Sequence, residues 1–116
     1  MKNYSRSERV SGLLRREIPP VLNETMEWTG IGMVSVTDVE VNRDISLAKV
    51  YVGILNIERA GETIRELNEH AGEIRSELSG KLHMRSVPAL KFFHDTSGET
   101  GRRIEQLLDG TRKPDN

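Results

Sequence analysis

The sequence predicts a two-layer α+β domain, with helices packed on one face of a three-stranded sheet. Three observations carry this. Apolar residues recur at three-and-four spacing in two long segments, one near the start and one over about 58–82. They alternate with polar residues in three short segments lying between and after these. The chain has 116 residues, of which 35% are hydrophobic and 4% aromatic, so one small domain with a mostly aliphatic core is expected.

The first helix is read from Val10, Leu13, Leu14, Ile18, Val21 and Leu22, which share one face. Ser5 and Ser7 are its candidate caps. Pro19-Pro20 interrupts it, because proline lacks a backbone donor and constrains the residue before it. The apolar phase survives the pair, which predicts a kinked helix or two short ones rather than a loop. A turn is expected over 27–32. Val34 and Val36 then alternate in one phase and Val39 and Val41 in the other, so a bulge is expected near Thr37 or Asp38. Asn42, Arg43 and Asp44 supply a turn, and Ala48, Val50, Val52 and Ile54 mark a second strand closing an antiparallel hairpin.

Ile64, Leu67, Ala71, Ile74, Leu78 and Leu82 form one helical stripe that passes Gly72 without losing phase. Glycine within a helix costs roughly 1 kcal/mol relative to alanine, so a helix–bend–helix is expected there. Either the missing side chain lets the backbone bend and another surface approach, or it relieves packing of the helix on the sheet. Both readings stand. A third strand follows at Leu90 to His94, opened by Pro88. A short last helix is expected from Ile104, Leu107 and Leu108, with Gly110 as its stop. The domain is thus drawn over 5–109 and a flexible tail over 110–116.

Composition narrows the function. There is no cysteine, hence neither a disulfide framework nor a thiolate metal site. No apolar run reaches the roughly 20 residues that span a bilayer, and the first residues lack the apolar core of a secretory signal. A cytoplasmic protein without membrane contact is expected. The formal net charge is −1, unlike a general nucleic-acid binder, but the charge is segregated. Lys2, Arg6, Arg9, Arg15 and Arg16 crowd the start, and Lys81, His83, Arg85 and Lys91 form an acid-free stretch. Glu58, Glu62, Glu66, Glu69, Glu73 and Glu77 lie between them.

Catalytic chemistry is not evident. His70, His83 and His94 lack ligand spacing, and no nucleophile elbow, phosphate loop or zincin motif occurs. The carboxylates of the long helix read as a solvated face. No enzyme, metal, cofactor or small-molecule substrate is expected. Gly98-Glu99-Thr100-Gly101 fits the G-x-x-G by which KH domains clamp a nucleic-acid backbone. Here it follows the third strand and reads as a strand-to-helix turn.

In a type II KH arrangement, whose element order this chain matches, that loop would fall at His70-Ala71-Gly72. The runs VTDVEVNRDISLAKVYV (36–52), AGEIRSELSGKLHMRSVPALKFFHD (71–95) and DTSGETGRRIEQLL (95–108), in this order, are similar to the ribosome-binding factor A family. That family resembles a KH domain in which an Ala-x-Gly bend replaces the loop; its alanine position is His70 here. The resemblance implies a bacterial assembly factor for the small (30S) ribosomal subunit. Contact with 16S rRNA near the decoding region and help in maturing its 5′ end come with it. The protein would hold an RNA conformer, a need greatest in the cold, and a monomer is expected. Cations clear of the glutamates are the candidate RNA contacts: Arg6, Arg9, Arg43, Arg75, Lys81 and Arg85, with Arg102 and Arg103 as weaker ones. Each would contact phosphates and carry little sequence information. Tyr51 and Phe93 are read as core or sheet-face residues with the capacity to stack on bases. The alternative is a protein-interaction module that offers the acidic helix face to a basic partner.

Overall fold

The computed structural model describes residues 5–29, 33–82, 84 and 86–97. The order is α1 (Arg6–Thr29), β1 (Val34–Val41), β2 (Leu47–Ile54), a 3-10 turn (Ile57–Arg59), α2 (Ala60–Glu69), α3 (Ala71–Leu82) and β3 (Ala89–His94). The strands form one mixed sheet in the order β1-β2-β3. β1 is antiparallel to β2, and β3 is parallel to β2. The expected last helix and tail lie outside the described residues. No described helix is long and apolar enough to cross a membrane.

α1 begins with a reciprocal cap. The Glu8 N–H donates to Ser5 Oγ at 3.1 Å, and the Ser5 N–H donates to Glu8 Oε1 at 2.8 Å. The helix then runs unbroken through Pro19-Pro20. The prolines free the carbonyls of Arg15 and Arg16, both exposed residues whose freed acceptors water can satisfy. On the opposite side Leu14, Ile18 and Val21 are fully buried and Leu22 nearly so, and they hold the helix on the sheet through the interruption.

The phase slip in β1 is a bulge. Val36 pairs with Val52 and Asp38 with Tyr51, which leaves Thr37 as the extra residue. Val34 and Val36 before it and Val39 and Val41 after it all pack against the core. Asp38 Oδ1 accepts from the Val39 N–H and from Arg15, each at 2.9 Å, which ties the bulge to α1. The hairpin turn is organised by Asn42, whose Oδ1 accepts from the N–H groups of Ser46 and Leu47 at 2.9 Å. Within it Ile45 has φ 59°, strained for a β-branched residue. Its side chain packs against the core.

α2 and α3 share one apolar stripe, in which Leu67, Ile74 and Leu78 are fully buried and Ile64, Ala71 and Leu82 partly so. The break between them is a single residue, His70, with φ −97° and ψ 7°. Hydrogen bonding continues across it. The His70 N–H donates to Glu66 O at 3.1 Å, and the Ile74 N–H donates to His70 O at 3.0 Å. Gly72 is therefore not the hinge. It lies one residue inside α3, and an added Cβ would meet no atom within 4 Å. Relief of helix-to-sheet packing, one of the two readings of this glycine, is thereby excluded.

β3 is an outer strand, and an outer strand exposes unpaired backbone groups. Asn68 of α2 closes this one: its Oδ1 accepts from the Phe92 N–H at 2.8 Å, and its Nδ2 donates to Phe92 O at 3.1 Å. The side-chain amide stands in for a neighbouring strand while Phe92 fills the core. Asn68→Ala leaves two backbone groups unpaired and is expected to lower stability by about 1–3 kcal/mol, read as a reduced urea midpoint with unchanged slope. An unchanged midpoint would show the bonds to be dispensable.

Candidate nucleic-acid interface

The candidate cations fall into two places. β2 and β3 both start at the end of the sheet marked by the hairpin turn, where the Ala89 N–H donates to Ser46 O at 3.0 Å. Arg43 lies exposed in that turn. Arg6 and Arg9 are exposed in the first turns of α1. That part of the helix is held to the same end of the sheet, because Ser11 Oγ accepts from the Val41 N–H at 3.1 Å. Arg75 joins them from α3. Its Nε donates to the Val87 carbonyl at 2.8 Å, two residues before β3. This one bond fixes a side chain that is otherwise exposed, and it leaves the outer guanidinium nitrogens to face a partner.

Beside Arg75 is an open cleft of about 370 Å³, lined by Gly72, Arg75, Ser76, Ser79, Ser86 and Val87. Positions 72, 75, 76 and 79 have the spacing of one helix face. None of the described lining residues is acidic. A guanidinium and three hydroxyls around a floor without a side chain suit a phosphate oxygen. A larger cleft of about 570 Å³ runs along β1 and contains Glu8, Asp38 and Glu40. Its Arg15 is already engaged by Asp38 at 2.9 Å, which leaves Lys49 as the cation of its lining without an ion-pair partner among the described residues.

Lys81 stands apart. Its Nζ is 3.9 Å from Glu24 Oε2, and Glu24 lies thirteen residues, about 20 Å of helix, beyond Ser11. The pair links α1 to α3 and is half-exposed, so it contributes little to stability. Arg85, Arg102 and Arg103 lie outside the described residues. Of the expected kink residues His70, Ala71 and Gly72, only His70 breaks the helix; Gly72 lines the Arg75 cleft, and Nδ1 of His70 pairs with Glu73 Oε1. Arg59 pairs with Glu62 at 2.7 Å. Of the helix-borne carboxylates, Glu62 is thus neutralised from within the chain. No group of three potential metal ligands occurs among the described residues.

Sequence reading missed Ser76, Ser79 and Ser86. The first two were findable, since they share with Gly72 and Arg75 a helix face free of glutamate. Ser86 and the Val87 carbonyl come from a separate segment and leave no mark in the pattern. Because Gly72 touches nothing, Gly72→Ala is expected to raise stability by about 0.5–1 kcal/mol through helix propensity alone, read by thermal or urea unfolding. A loss of stability would contradict the open surroundings of this residue.

The model of the family described as ribosome-binding factor A matches residues 6–108. A ribosome-binding factor A of Xanthomonas axonopodis pv. citri (strain 306) is 39% identical over 107 residues, which are 92% of this chain and 82% of the relative. The crystal structure of ribosome-binding factor A from Thermus thermophilus is similar with a TM-score of 0.63 at 22% identity, covering 76% of this chain and 94% of that one. A homology model of the Thermus thermophilus protein, fitted into a cryo-EM map of a 30S–RbfA complex, is similar with a TM-score of 0.55 at 23% identity. It covers 72% of this chain and 93% of that one. The chain belongs to the ribosome-binding factor A family.

Proposed function

We propose that this protein binds the immature 30S subunit through its 16S rRNA and assists maturation of the 5′ end of that RNA by holding one RNA conformer. It does so as a cytoplasmic monomer and without bond chemistry. The observation that carries the reading is the placement of Arg75. It is anchored by Val87 in a cleft with no described carboxylate, at the end of the sheet that also bears Arg6, Arg9 and Arg43. Family membership supports it, as does the 30S complex into which the Thermus relative was fitted.

Contacts of this kind fix position rather than sequence. A ligand that binds one RNA conformer shifts its population by the difference in affinity between conformers. The help is greatest in the cold, where mispaired RNA helices separate slowly.

The test is co-sedimentation with free 30S subunits over a series of salt concentrations. Binding is expected to weaken as salt rises, with a log–log slope set by the number of phosphate contacts. Changing Arg6, Arg9, Arg43 and Arg75 together to Ala is expected to reduce that slope by roughly 3. Lys81→Ala, which removes a cation already facing Glu24, is expected to change it by less than one contact. Sedimentation of the fourfold variant like the unchanged protein would overturn the assignment.

A further inference from the structure

The described helices cover one face of the sheet; the other face carries a second arrangement that the docking surface above does not use. On it Lys49 of β2 and Lys91 of β3 are direct register partners, and both are exposed. Tyr51 and Phe93 are register partners two residues further on. Their rings stack at 5.6 Å between centroids and 28° between planes. Lys91 Nζ lies 5.6 Å from the Phe93 ring centroid. Among the described residues neither lysine has a carboxylate partner within 4 Å. Glu40, the register partner of Lys49 on β1, accepts instead from the Tyr51 hydroxyl at 3.4 Å. Asp95, beyond Phe93, is engaged by Thr37.

Folding accounts for part of this arrangement, since a cross-strand aromatic pair and the Glu40–Lys49 pairing both favour a sheet, but not for the two lysines side by side. Like charges directly opposite one another destabilise a sheet, and the two rings lie on the side away from the helices. The arrangement matches what an unpaired strand of RNA requires: ring faces on which bases stack, and cations one step away for the phosphates between them. The register also connects it to the positive end of the domain. Leu47 pairs with Ala89 beside the hairpin turn, and Lys49 with Lys91 is two residues further in.

We propose that the sheet face left open by the described helices binds single-stranded RNA, with bases stacked on Tyr51 and Phe93 and phosphates held by Lys49 and Lys91. The partner class is shared with the function proposed above, but the surface is not, so the two readings fail separately.

The test is fluorescence anisotropy of a labelled single-stranded RNA decamer, with an RNA duplex of equal length as control. The unchanged protein is expected to prefer the single strand. Tyr51→Leu with Phe93→Leu, which keeps the face apolar, is expected to weaken single-strand binding at least tenfold. Lys49→Gln with Lys91→Gln relieves a like-charge pair and so preserves the fold; it is expected to reduce the salt slope by about 1.4. Arg43→Ala with Arg75→Ala is expected to weaken 30S binding while keeping the preference for the single strand over the duplex.

Equal binding of single strand and duplex, or unchanged binding by both face variants, would overturn the proposal. So would face variants that change only self-association in sedimentation equilibrium, or only the capture of a protein that survives ribonuclease. Those results would assign the face to a second copy or to a protein.

Discussion

Burial on one side of the sheet is the constraint on which the rest of this structure depends. Val50, Val52, Phe92, Leu67, Ile74, Leu78, Leu14, Ile18 and Val21 are all at most 1% exposed, and they meet between the sheet and a single layer of helices. Each such side chain contributes about 2 kcal/mol. That sum decides the local conflicts. An interior proline costs a helix about 3 kcal/mol, yet α1 passes two of them, because four anchors on its inner face outweigh the carbonyls released on its outer face. α2 and α3 keep one stripe across a non-helical residue for the same reason. The strain of a left-handed isoleucine in the hairpin turn is met by the same core.

This constraint also explains what could be read from sequence. The stripe of 64–82, the alternation of β2 and the reversed phase inside β1 are all projections of one buried face, so they are visible as periodicity. The bulge at Thr37 was legible because a slip by one residue would otherwise turn valines towards water. What escaped depends on pairs distant along the chain. Asn68 bonds to Phe92 and Arg75 to Val87, across separations of 24 and 12 residues, and nothing in either neighbourhood announces the partner. That β3 runs parallel to β2 and takes the outer position, where its edge is closed from α2, is likewise a property of the assembled fold.

The position of the bend shows a different limit. Glycine is the expected hinge because it reaches conformations closed to other residues. The conformation used here, φ −97° and ψ 7° at His70, is open to any residue. The hinge therefore needed no glycine, and the side chain at the break was free to serve otherwise, pairing with Glu73. Gly72 is then unexplained by the fold. Its place in the lining of the Arg75 cleft gives the missing Cβ a consequence, since a side chain there would project into the space beside the guanidinium.

A net charge of −1 looks unsuited to a polyanionic partner, but the total is the wrong quantity. Interactions between exposed charges fade over about 8 Å at physiological salt. α2 starts beyond the far end of β2, and only its last turns reach the level of Phe92. Glu58 and Glu62 are therefore about 20 Å from the hairpin-turn end, by the rise of the helix and the strand together. At that distance they do not cancel the field of Arg43 or Arg75. Of the acids nearer that end, Glu8 caps α1, Glu73 pairs with His70, and Asp44 accepts from Ser46, whose two donors lower its pKa and keep it ionised beside Arg43. The distant glutamates are absent from the hairpin-turn end, where Arg6, Arg9 and Arg43 lie exposed, because the same one-sided packing that built the core carried the start of α2 to the other end of the sheet.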